Sequence, residues 1–196
     1  FIVDVSGSMD GFPLEIADRL MDSLLNVLRP EDKFNIITFS GSSNALGEQS
    51  LAVTPNNITK GREFLRTNRV GGGTELLPAL ERALKMPTKE NYARSFVVIT
   101  DGFVSIEREA FKYVRANLNK ANIYAFGIGN SVNRFLIEGL ARAGNADPII
   151  VTNQAEAPKM ADKFKHYIEA PVLTNIKVDY GNLDVYDVEP SAIADV

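Results

Sequence analysis

Residues 95–100, SFVVIT, constrain the fold more than any other stretch. Phe96, Val97, Val98 and Ile99 are apolar in succession, without alternation. A strand with one wet face alternates, whereas one apolar at every position is buried on both faces. Residues 1–5 (FIVDV), 33–39 (KFNIITF) and 123–128 (IYAFGI) share this character. Between them lie segments of helical period: Leu14, Ala17, Leu20, Met21, Leu24, Leu25 and Leu28; Leu77, Leu80 and Leu84; Ala110, Phe111, Val114 and Leu118. Pro13 suits a first helical turn and Pro30 a stop. Helices are also expected over 58–69, 133–143 and 155–168, and strands over 51–54 and 148–151. The strand before Pro55 reads as an edge. Buried strands separated by helices predict a three-layer, doubly wound α/β domain. Its sheet should be mostly parallel and Rossmann-like, with one antiparallel edge strand.

After Pro171 the rhythm changes. Leu173, Ile176, Val178, Tyr180, Leu183, Val185 and Val188 alternate with polar residues around Gly181-Asn182. This predicts a β-hairpin-like extension. The α/β domain is expected over residues 1–170. Residues 171–196 are expected to form a β extension or the start of a following β-rich region. The chain starts at Phe1 inside an apparent strand and reads as a fragment of a longer protein.

Composition excludes several function classes. Lys and Arg total 21 against 25 Asp and Glu, a net charge of −4 with no basic block. Nucleic acid is therefore not an expected partner. The absence of Cys removes disulfides, thiolate metal sites and Cys nucleophiles. No apolar run approaches the roughly 20 residues of a membrane span, so direct membrane insertion is not expected.

In open parallel sheets, ligands bind beyond the C-terminal strand ends. Asp4, Ser6 and Ser8 follow the first strand, and Asp101 follows SFVVIT. Thr74 and Glu75 follow three glycines at 71–73. Asp4, Ser6, Ser8, Thr74 and Asp101 form an oxygen-only set suited to a hard cation, Mg²⁺ first, with Mn²⁺ or Ca²⁺ also admitted. Step-two spacing would aim Asp4, Ser6 and Ser8 to one side if the chain stays extended through Gly7. The glycines would let the Thr74 loop approach closely. Two carboxylates against a dication leave an electrophilic metal with room for an incoming carboxylate.

Each of these residues alone is also ordinary turn or cap chemistry; only the set points to metal. Asp10 and Glu75 read as solvated or capping groups, and Ser40 as a loop serine. His166, the only histidine, reads as a surface or packing residue. Gly127 and Gly129 lack the third glycine of a dinucleotide loop. The sequon Asn57-Ile58-Thr59 carries no weight.

Asp4-Val5-Ser6-Gly7-Ser8, Gly72-Gly73-Thr74 and Thr100-Asp101-Gly102 together resemble the metal-ion-dependent adhesion site of von Willebrand factor type A domains. The resemblance covers residues 1 to about 170. The wording DVSGSM, GGGTE and VVITDG resembles inter-α-trypsin inhibitor heavy chains and their bacterial relatives, and the tail resembles the segment that follows their A domain. The resemblance implies a protein-binding module without enzymatic activity, displayed outside the cytoplasm. A divalent metal would be completed by an Asp or Glu of a protein ligand. It also admits movement of the last helix on ligand binding. Gly11 and Phe12 stand where some integrin A domains have acidic residues, so no adjacent second metal is expected. Two alternatives stand beside this reading. One is a Mg²⁺-dependent, phosphatase-like hydrolase, although Ser6 stands where such a site wants a second carboxylate. The other is a structural domain with a vestigial site.

Overall fold

A computed structural model describes residues 1–69, 71–88, 92–102, 107–117, 121–144, 146–168, 176, 178–186 and 188. Among the described residues the strands are β1 (Ile2–Asp4), β2 (Lys33–Phe34), β3 (Ile37–Phe39), β4 (Ser43–Ala45), β5 (Leu51–Ala52), β6 (Ser95–Thr100), β7 (Asn122–Ile128) and β8 (Ile149–Val151). The α-helices among the described residues are α1 (Phe12–Val27), α2 (Pro55–Thr67), α3 (Leu76–Lys85), α4 (Glu107–Ala116), α5 (Arg134–Ala143) and α6 (Ala157–Ile168). The main sheet runs β4-β3-β1-β6-β7-β8, parallel except for β4. This is the doubly wound, mostly parallel architecture with one antiparallel edge that the sequence predicts.

Alternate strand residues feed two cores. Val3, Val97, Ile99 and Phe126 face α1 and α6, where Leu20, Leu24 and Phe164 meet them. Ile2, Val98, Ile123 and Ala125 face α3, α4 and α5, through Leu80, Val114 and Leu140. Both faces are dry, which is why SFVVIT carries no polar alternation.

Three local expectations change. Residues 33–39 are not one strand. Asn35 Oδ1 accepts from the backbone N–H of Ile36 (2.9 Å) and of Gly47 (3.2 Å), and Asn35 Nδ2 donates to Gly47 O (2.8 Å). This side chain takes over the ladder's hydrogen bonding, so β2 leaves the main sheet and pairs with β5. The main sheet's antiparallel edge is therefore β4, not residues 51–54. Finally, α2 begins at Pro55, because Thr54 Oγ1 accepts from Asn57 N–H as an N-cap.

Of the expected tail hairpin, residues 176, 178–186 and 188 are described. Its turn is present: Leu183 N–H donates to Tyr180 O at 3.1 Å, with Gly181 at φ 58°. Residues 178–186 contain no strand.

Candidate metal centre at the sheet's switch point

The chain winds from β1 outward through β3 to β4, then crosses back to β6 and on to β8. The winding direction thus reverses between β1 and β6. Neighbouring connections diverge at such a point and leave a crevice beyond the strand ends. Asp4 ends β1 and Asp101 follows β6, so the topology alone places two carboxylates at that crevice.

Register fixes the first of them. Val3 pairs with Ile99, so Asp4 and Thr100 are side by side and share a sheet face. Thr100 Oγ1 donates to Asp4 Oδ2 at 2.6 Å and accepts from Gly102 N–H at 2.9 Å. Ser6 N–H donates to Asp4 Oδ1 at 2.9 Å. Asp4 is 0% exposed. Burial pushes its carboxyl above the ordinary range and Asp101 nearby adds to this, while hydrogen bonds from Ser6 and Thr100 oppose it. A buried carboxylate whose oxygens already accept hydrogen bonds gains most from a cation that offsets the lost hydration.

Ser6 and Ser8 converge by a different route from the expected extended chain. Residues Gly7–Met9 form a 3-10 turn, with Met9 N–H donating to Ser6 O at 3.1 Å. Met9 is fully buried in the α1-side core, and burying it turns the chain inward. The turn leaves Ser6 Oγ and Ser8 Oγ 3.2 Å apart. Ser6 is buried and Ser8 exposed, so the pair leads from the interior to the surface.

The glycine-rich loop closes the third side. Gly7 N–H donates to Gly72 O (3.3 Å), and Glu75 N–H donates to Ser40 O (2.8 Å). Gly72 holds φ 99°, a left-handed conformation that glycine adopts at little cost. Thr74 is half-buried on this loop. Asp10 and Glu75 are exposed, consistent with solvated roles. Among the described residues, no three His, Asp or Glu side chains gather as a carboxylate-rich cage. A metal here would need hydroxyl ligands, as the donor set provides.

Two positioning residues carry no plain signal of that role in the sequence. Thr100 holds Asp4, a pairing visible only once β1 and β6 are in register. Asn133, the N-cap of α5, donates from its backbone N–H to Asp101 O (2.9 Å) and from Nδ2 to Gly102 O (2.8 Å). Its signal was the cap position just before α5. His166 lies on α6, and Gly129, at φ 98°, serves a turn after β7.

Fold and site together define a doubly wound α/β domain with a hydroxyl-rich crevice at its switch point. The sequence profile of the von Willebrand factor type A domain matches residues 1–146, and the chain belongs to that family. A von Willebrand factor A domain-containing protein of Dictyostelium discoideum is 30% identical over 96% of this chain and 21% of its own length. Inter-alpha-trypsin inhibitor heavy chain H3 of Pongo abelii is 25% identical over 96% of this chain and 23% of its own. The chain thus spans about a fifth of these relatives. The solved structure of manganese-loaded TRAP protein from Plasmodium vivax superposes with a TM-score of 0.65 at 19% identity, covering 83% of this chain and 70% of that one.

Proposed function

We propose that this domain is a divalent-metal-dependent protein-binding module. Asp4, Ser6, Ser8, Thr74 and Asp101 would hold Mg²⁺, with Mn²⁺ or Ca²⁺ as substitutes, and an Asp or Glu of a protein ligand would complete the site. When bound, the metal supplies an electrophilic position for that carboxylate. One observation carries the reading: a fully buried Asp4, fixed on both oxygens, lies beside a serine pair that opens to solvent at the switch point. Each residue has its own task. Thr100 and Ser6 N–H orient the Asp4 carboxylate, Ser8 brings an oxygen to the surface, and Asn133 anchors the Asp101 loop. The manganese in the TRAP structure and the family membership support a metal in this crevice.

Among the described residues no general acid and base pair stands at the site, which favours binding over turnover. We infer display outside the cytoplasm, as on a cell surface, in the periplasm or by secretion. No described helix is long and apolar enough to cross a membrane. The test is capture of proteins on the immobilised domain in Mg²⁺. Capture should be lost with EDTA and with Asp4→Ala. Capture that survives both, or Mg²⁺-dependent phosphoester turnover lost in Asp4→Asn, would overturn the reading.

A further inference from the structure

Among the described residues of 1–168, three large hydrophobic side chains are exposed: Phe12 at 44%, Tyr92 at 46% and Phe135 at 62%. Two of the three stand on the rim that carries Asp4 and Asp101. Phe12 is the first residue of α1, just after the Ser6–Ser8 turn. Phe135 is the second residue of α5, whose cap Asn133 binds the backbone of Asp101 and Gly102. The two helices cover opposite faces of the sheet, since Leu14 and Leu20 belong to one core and Leu136 and Ile137 to the other. Both first turns approach the end of β7: a Cβ on Gly129 would lie 3.5 Å from Pro13 Cγ of α1, and one on Gly127 would lie 3.0 Å from Ile137 Cγ1 of α5. Phe12 and Phe135 therefore stand on either side of the sheet end.

Folding gives little reason for this choice. Phe12 packs into neither core, and a ring left 44% exposed gains only part of the burial energy of a core phenylalanine. Phe135 rests edge-on against Phe111, centroids 5.8 Å apart, and most of its surface stays wet. Beside it, Arg134 is exposed in a first turn that holds no acidic residue. A cation there opposes the helix dipole, which favours Asp or Glu at that end.

We propose that Phe12, Arg134 and Phe135 form the specificity surface for the ligand segment. The segment they fit is a peptide whose Asp or Glu is flanked closely by a bulky apolar residue. The apolar flank would pack on the rings, and Arg134 complements the segment's negative charge. This rests on the metal-capture reading above and adds to it the sequence class of the partner.

The test is selection of random linear displayed peptides on the immobilised domain in Mg²⁺, eluted with EDTA. The eluted peptides should carry Asp or Glu with a bulky apolar neighbour. Phe12→Ser/Phe135→Ser should retain those peptides about tenfold less well, with Mn²⁺ uptake by electron paramagnetic resonance unchanged. Arg134→Glu should also weaken capture while its unfolding midpoint stays equal or rises, an outcome that a purely structural role does not give. If the double variant unfolds, Phe12→Ser alone, outside both cores, repeats the test. Acidic peptides without apolar enrichment, or held equally by the variants, overturn this inference and leave metal capture standing. So does loss of Mn²⁺ uptake in the serine variants. A complete lack of EDTA-eluted acidic peptides overturns both.

Discussion

Asp4 sets the site's response to pH. Burial lifts its carboxyl above the ordinary value of 3.8. Between that value and the lifted one, the folded metal-free chain holds a proton that the unfolded chain has released. Its stability therefore falls as pH rises through this window. Metal binding needs the carboxylate, so Mg²⁺ affinity should rise with pH over the same interval. Calorimetric titrations on either side of it check the sign. Asp4→Asn removes the buried charge but keeps an acceptor for Ser6 N–H. Its metal-free unfolding midpoint should equal or exceed wild type, while stabilisation by Mg²⁺ disappears. Gly102→Ala should do the reverse and damage the fold. At φ 90° an added Cβ would lie 2.8 Å from Asn133 Cβ, and backbone strain alone costs about 1–3 kcal/mol. Chemical denaturation measures that loss. Asp4, Ser6, Ser8, Thr74 and Asp101 were legible in the sequence as an oxygen set. Thr100 was not legible as the holder of Asp4, because the two are 96 residues apart and meet only through strand register.

At the scale of elements, strands that bury both faces were plain to read. Ser95–Thr100 matches its expected bounds: its four consecutive apolar residues feed the cores on both faces of the sheet. The edge strand β4 was illegible: Ser43-Asn44-Ala45 has neither a β-branched residue nor an apolar pattern, and pairing with β3 alone makes it a strand. The break at Asn35 was hidden for a similar reason, because its partner Gly47 is distant in sequence. Asn35 links the two sheets and lies away from the strand ends that carry the site. Asn35→Ala strips hydrogen bonds from Gly47 and Ile36, and should cost about 1–3 kcal/mol. The unfolding midpoint in urea should fall, with Mg²⁺ affinity within about twofold of wild type. A matching loss of metal binding would show that the β2–β5 unit supports the site more directly than its position suggests.

For the whole molecule, topology gathers the candidate ligands. The reversal between β1 and β6 separates the connections above two adjacent strand ends, and loops at residues 4–8, 71–75 and 101–102 converge there. The order of amphipathic segments predicted the layers, yet only the sheet order shows which two strands adjoin. A ligand that binds the folded chain alone stabilises it by mass action. Mg²⁺ at about a hundredfold excess over its dissociation constant should add ~2.7 kcal/mol. For a chain of this size that raises the unfolding midpoint by about 5–10 °C, and EDTA should abolish the rise.

On the function proposed above, hydroxyls and buried carboxylates of three loops hold one cation. Anomalous scattering from Mn²⁺ in crystals of the domain tests it most directly. A single strong peak is expected in the crevice within bonding distance of Ser6 Oγ and Ser8 Oγ, with Asp4 and Asp101 bound directly or through water. A fully loaded crystal with no peak there, or with Ser6 and Ser8 turned away from the ion, would contradict it.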